Sequence, residues 1–303
     1  MPEFTQITDG LQFPEGPIWR PDGSLLLVEI QRGTLTRVDK DGRKEVVAEC
    51  GGGPNGAAFG PDGKVYVCNN GGFEWHQIGE LLLPGNQPAG YIGGRIQRVD
   101  IQSGVVDDLY TECDGNPLRG PNDIVFDSQG GFWFTDLGKS RPRERDRTGI
   151  FYALADGSSI REMAFPMDGG PNGIGLSPEE DRLYVAETYT GRVIFFELDG
   201  PGQIRANPVS RHGGYLLAGL SGGEMLDSLA VDALGNVCVG TIVNGGITVF
   251  SPKGEHHHVA TGDALTTNIC FGGPGLETAF ITLSSTGRLV SCPWETPGLP
   301  LHF

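Results

Sequence analysis

Six recurring segments constrain this 303-residue chain more than any other feature. They open at Phe13-Pro-Glu-Gly-Pro-Ile-Trp, Gly53-Pro-Asn-Gly-Ala-Ala-Phe, Gly120-Pro-Asn-Asp-Ile-Val-Phe, Gly170-Pro-Asn-Gly-Ile-Gly-Leu, Met225-Leu-Asp-Ser-Leu-Ala-Val and Thr266-Thr-Asn-Ile-Cys-Phe. Superposing the openings aligns Glu15, Asn55, Asn122, Asn172, Asp227 and Asn268, at spacings of 40, 67, 50, 55 and 41 residues. A turn follows each opening, then a second apolar run such as Leu25–Ile30 or Phe132–Thr135, then a glycine-led third run such as Gly191-Arg-Val-Ile-Phe-Phe. The 49 glycines, about 16% and roughly double ordinary usage, break long helices and serve tight turns between short strands. No sustained helical period competes. Units of this length with four strand-like runs each predict an all-β fold, a six-bladed β-propeller, with residues 1–303 as one domain. A β-sandwich array is the competing architecture. The sixth unit runs out after its third strand, near Cys292, so Phe4–Ile7 is expected to supply the missing outer strand and close the ring.

Charge and composition narrow the partners. Lys+Arg of 22 against Asp+Glu of 38 gives a net charge of −16, which repels a phosphate backbone and argues against nucleic acid. No apolar run is long enough for a membrane helix, so no membrane partner is expected. The opening Met-Pro-Glu-Phe-Thr-Gln has neither a basic nor an apolar leader region, and the six cysteines are scattered without a CxxC pair. A cytoplasmic protein with reduced thiols is the expectation. The oligomeric state is not legible.

In a propeller the first strand of each blade lines the central channel, so the six aligned residues converge on one mouth. Antiparallel pairing brings the ends of the second strands, Glu29, Asn69, Asn70, Asp136, Glu187 and Asn244, to the same face. Glu15, Asn122, Asn172 and Asp227 then combine two carboxylates with two amide carbonyls. Two anions facing each other repel unless a cation intervenes, and hard oxygen donors suit Ca²⁺, Mg²⁺ or Mn²⁺. Asn-Gly, as at Asn55 and Asn172, is also an ordinary turn dipeptide. Asn55 and Asn268 can equally be plain polar lining. No Gly-x-Ser-x-Gly elbow or HExxH motif offers a rival nucleophile or metal site.

At Pro14-Glu-Gly-Pro, Gly120-Pro-Asn-Asp, Pro171-Asn-Gly and Leu226-Asp-Ser with Val231-Asp, the chain resembles the senescence-marker-protein/gluconolactonase (regucalcin-like) family, and more distantly squid-type diisopropyl fluorophosphatase. The resemblance covers about residues 10–292. It implies one divalent cation in the channel, calcium first, with zinc and iron also used, and ligands at Glu15, Asn172 and Asp227. Asn122 matches a position that binds either metal or substrate. The implied activity is hydrolysis of an aldonic-acid lactone. Some sugar-lactonase relatives carry an arginine where Gly120 stands here, with Arg119 beside it. The family's acidic sugar contact has only Asp136 as a candidate.

A lactone carbonyl develops oxyanion charge under attack, which a cation stabilises, and Asp227 is placed to serve as both ligand and general base. Glu15 is then chiefly an anionic ligand. A phosphotriesterase or arylesterase of the same fold, and a non-catalytic calcium-binding propeller, are the alternative functions. Two insertions bear on specificity. Residues 71–93 carry Trp75, His76, Leu81–Leu83 and Tyr91, and form either a lid that contacts substrate through Trp75 and His76 or a merely packed loop. Lys139–Arg147 gathers five cations, either to steer an anionic substrate or as a solvated charge run. His256-His-His is expected on a solvated outer strand.

Overall fold

The second strand of each unit is an almost unbroken apolar run, and it is buried on both faces. Leu25–Glu29, Val65–Asn69 and Gly131–Asp136 are buried at every position, whereas the fourth strands Lys44–Glu49 and His256–Ala260 are largely exposed. That gradient, from sealed centre to wet rim, arises when four-stranded sheets stand side by side around an axis. A computed structural model describes residues 2–303, and Met1 lies outside them. It is a six-bladed β-propeller.

The inner strands are Pro14–Trp19, Pro54–Phe59, Pro121–Phe126, Pro171–Leu176, Met225–Val231 and Thr266–Gly272. Each pairs antiparallel with its own second strand, which pairs with the third, and so outward. In the fourth blade, Gln203–Arg205 and Tyr215–Gly219 both pair with Arg192–Gly200, which accounts for the longer spacing before Asp227. The sixth blade is completed by Thr5–Thr8, paired with Arg288–Pro293. Closure by the N-terminal stretch is as expected, one residue further along.

Apolar packing is divided among six clusters, each lying between two neighbouring blades. One joins Leu26, Val28 and Leu35 to Val65, Val67 and Val99 of the next blade; the last joins Leu289 of the sixth blade to Leu25 and Leu27 of the first. The axis is therefore free for other chemistry. Toward the far end of the inner strands it opens into a cavity of about 580 Å³ lined by Trp19, Phe59, Val125 and Phe271 and strapped by residues 299–303. Phe303 rests edge-on against Phe126. No helix among the described residues is long and apolar enough to cross a membrane.

Candidate active site at the mouth of the channel

The register of every inner strand slips at or beside its aligned polar residue: after Glu15, between Pro54 and Ala57, between Pro121 and Ile124, between Pro171 and Ile174, between Leu226 and Leu229, and between Thr266 and Asn268. A bulge breaks the in–out alternation and re-aims side chains. Here it occurs in all six blades at the same level and makes a ring of polar groups at the axis. Glu15, Asn55, Asn122, Asn172 and Asn268 are buried there, and Asp227 keeps some accessible surface.

Glu15 is held by Asn268, whose Nδ2 donates to its Oε2 at 2.7 Å, and by the Gly16 amide at 2.8 Å. Asn172 Nδ2 donates to Thr188 Oγ1 at 3.0 Å, and its Oδ1 has only a 3.5 Å contact from Ser228 Oγ. Asn122 Oδ1 is buried with no hydrogen-bond partner. Burial raises the carboxyl of Glu15 above its ordinary range, and burial together with the charge of Glu15 raises Asp227 well above its own. An orphaned carbonyl oxygen in the same ring as two carboxyls whose charge burial disfavours is an arrangement a hard cation relieves. The donors fit such an ion. Among the described residues no three Asp, Glu, His or Cys side chains form a metal-holding group by themselves.

The residue that follows each aligned position forms a second tier: Gly16, Gly56, Asp123, Gly173, Ser228 and Ile269. The glycines are packing devices. A Cβ on Gly56 would lie 2.5 Å from Asn122 O and 2.6 Å from Asp123 Cα. The Asn-Gly pairs at 55 and 172 thus lie inside strands rather than in turns, and the missing side chain lets neighbouring inner strands approach. Asp123 uses the space so made. Its carboxylate accepts the backbone N–H of Ile124 at 2.9 Å and of Ile174 in the next blade at 3.3 Å. Burial and the charge of Glu15 push it up to about 7. This third carboxyl is absent from the aligned set, and its one signal in the sequence is an Asp where three of the other five blades carry Gly.

Asp136 is buried and anchors backbone. Its two oxygens accept the amides of Arg119 and Gly120 at 2.7 Å and of Gly138 at 2.8 Å. Glu29 does the same for the Gln12 amide and Asn69 for the Gly53 amide. These second-strand ends share the mouth face, but those of the first three blades fasten the segment entering their own blade, and Asn244 is exposed on a turn.

Residues 71–93 form a hairpin, Trp75–Ile78 paired with Leu81–Pro84. Its tip reaches the sixth blade, where Leu82 N donates to Ser285 O at 2.8 Å. Trp75 packs on Phe13, 5.2 Å between ring centres and two residues before Glu15. His76 is exposed and is not brought into the ring. The basic stretch is neither a free patch nor a uniformly solvated run. Arg141 pairs with Asp146 at 2.6 Å and Arg147 with Asp168 at 2.8 Å, while Lys139 is buried. The three histidines lie on the exposed outer strand as expected.

The SMP-30/gluconolactonase/LRE-like region matches residues 13–285. The chain belongs to this family. Among its relatives, the gluconolactonase of Zymomonas mobilis is 28% identical over 92% of this chain and 78% of its own length. The diisopropyl-fluorophosphatase of Loligo vulgaris is 25% identical over 98% of this chain and 94% of that one. Among solved structures, the calcium-binding protein regucalcin of Agrobacterium tumefaciens superposes with a TM-score of 0.76 at 19% identity, covering 99% of this chain and 98% of that one. Family membership accords with the propeller.

Proposed function

We propose that this family member hydrolyses a small lactone, a sugar-acid lactone in the first instance, using one divalent cation held by Glu15, Asn122, Asn172 and Asp227. The observation that carries the reading is the partnerless Oδ1 of Asn122 in a ring with two carboxyls whose burial disfavours their charge. A bound cation supplies a Lewis acid that stabilises the oxyanion developing on the lactone carbonyl. Asp227, partly accessible where the other carboxyls are sealed, takes the proton from the attacking water as the C–O bond forms. When the ring C–O bond breaks, the same proton goes to the departing ring oxygen, and a hydroxy acid leaves. Glu15, pinned by Asn268 and Gly16, holds charge in place rather than moving protons. Asn55 and the Trp75 face are left to contact the substrate.

Calcium is the proposed ion: all four donors are oxygen, and the Agrobacterium neighbour is described as calcium-binding. Six free cysteines accord with a reducing, cytoplasmic setting. A second reading, phosphotriester hydrolysis, is favoured by the squid relative, which this chain covers nearly end to end. Gluconolactone, an aryl ester and a phosphotriester assayed with chelator and metal add-back decide between them. Lactone turnover that chelation abolishes and calcium restores is expected. Phosphotriester turnover alone supports the second reading, and cation binding with no turnover of any substrate leaves a binding protein.

A further inference from the structure

Lysine is among the residues least often fully buried, because desolvating its ammonium costs several kcal/mol. Of the five lysines, Lys40, Lys44 and Lys253 are exposed and Lys64 is half-buried. Lys139 is 1% exposed. Among the described residues no carboxylate lies within ion-pair distance of its amine. Its partners belong to another blade. Nζ donates to Gly72 O at 2.6 Å and to Asn70 Oδ1 at 3.1 Å, and sits 4.0 Å above the ring of Phe73. Asn70–Phe73 is where the chain leaves the second blade to form the hairpin. Gly71 and Gly72 turn there with φ of +79° and +88°, a conformation that leaves no side chain to hold the turn. The returning leg is held from the same loop, with Gln87 N donating to Ser140 O at 2.9 Å and Arg141 reaching Gln87 Oε1 at 3.2 Å. The loop of blade three therefore grips both legs of a hairpin that rests on blade one through Trp75 near its base and on blade six through Leu82 near its tip.

We infer that Lys139 is a positioning residue: its amine fixes the base of the 71–93 hairpin so that the Trp75 face sets the aperture of the mouth, and with it the size of substrate admitted. The inference rests on the mouth being the reaction site, but its mechanical half does not. The hydrogen-bond partners of the Lys139 amine all belong to the hairpin base, so losing the amine loosens that base while leaving every blade ladder intact.

The test compares intact wild type with Lys139→Met. In hydrogen exchange, amides of residues 74–87 should exchange at least about tenfold faster in the variant while the inner and second strands of all six blades keep their protection. Kinetically, the preference in kcat/KM for gluconolactone over a bulky aryl-substituted lactone should fall roughly fivefold, with kcat for gluconolactone within about twofold. Unchanged exchange in 74–87, or equal acceleration in all blades, overturns the latch. Exchange that responds with an unchanged preference overturns the aperture. If wild type turns over no lactone, the proposed function fails and exchange alone decides the latch. A wild-type measurement guards against a variant that does not fold: acetic anhydride should label Lys139 at least about tenfold more slowly than Lys40 and Lys253, at the rate at which 74–87 opens. Labelling as fast as the exposed lysines overturns the inference.

Discussion

At the scale of single residues, the site depends on which polar groups have partners. On the proposed role of Asp227 as general base, Asp227→Asn is expected to preserve the fold and to cost about 10²–10⁴ in kcat. Near-native turnover with an unchanged circular dichroism spectrum would remove it from that role. Asp123→Asn keeps size but replaces an acceptor by a donor facing buried backbone N–H groups; a loss of about 1–3 kcal/mol in urea unfolding is expected. Lys139 gives a pH signature. Burial lowers it from 10.5 to about 7, against the raising influence of Asp136 and Asp146. Between those values the unfolded chain holds a proton that the folded chain does not, so stability from this group rises with pH across that window. Wild type should gain on Lys139→Met in urea midpoint from about pH 7 to about pH 9.5, and a constant difference would show that the lysine stays charged. The shared level of Glu15, Asn122, Asn172 and Asp227 was legible because the repeat put them in register. The anchoring of Asp136 was not legible, because a loop anchor and a substrate contact are both a polar residue at a strand end and its three amide donors come from the folded backbone.

At the scale of elements, strands were legible and their irregularities were not. Alternation and turn residues gave the order of the runs, but a bulge needs only one extra residue and leaves no compositional trace. The same blindness made Asn-Gly look like a turn. Gly56→Ala tests the alternative directly. Its added methyl would meet backbone atoms at 2.5–2.6 Å, which cannot move without shifting the third blade. A loss of about 1–3 kcal/mol is expected from overpacking, whereas a turn glycine on a free surface would tolerate alanine within a few tenths. The two insertions, separate in sequence, are one clamp in space. Nothing in residues 71–93 alone reveals that their anchor is a lysine some fifty to seventy positions later.

For the whole molecule, the repeat announced the ring, and burial shows why a ring tolerates a charged axis. Its apolar energy is stored in six wedges between blades, so polar groups at the centre displace no core. The same division makes closure decisive, because the first and sixth blades share a wedge in which Leu11, Leu25 and Leu27 meet Leu289. Thr5–Thr8 pairs with Arg288–Pro293 along its length, while Phe4 and Ile7 pack on the flanking clusters. Removing residues 1–9 takes away a few ladder hydrogen bonds at about 1 kcal/mol each and apolar burial of similar size, for a loss on the order of 3–5 kcal/mol. It also leaves Arg288–Pro293 as an open edge able to pair with another chain. The truncated protein should therefore show a lower urea midpoint together with concentration-dependent light scattering. An unchanged midpoint and a monodisperse solution would mean that the wedge alone holds the ring shut and that the N-terminal strand is ornament on a blade already complete with three.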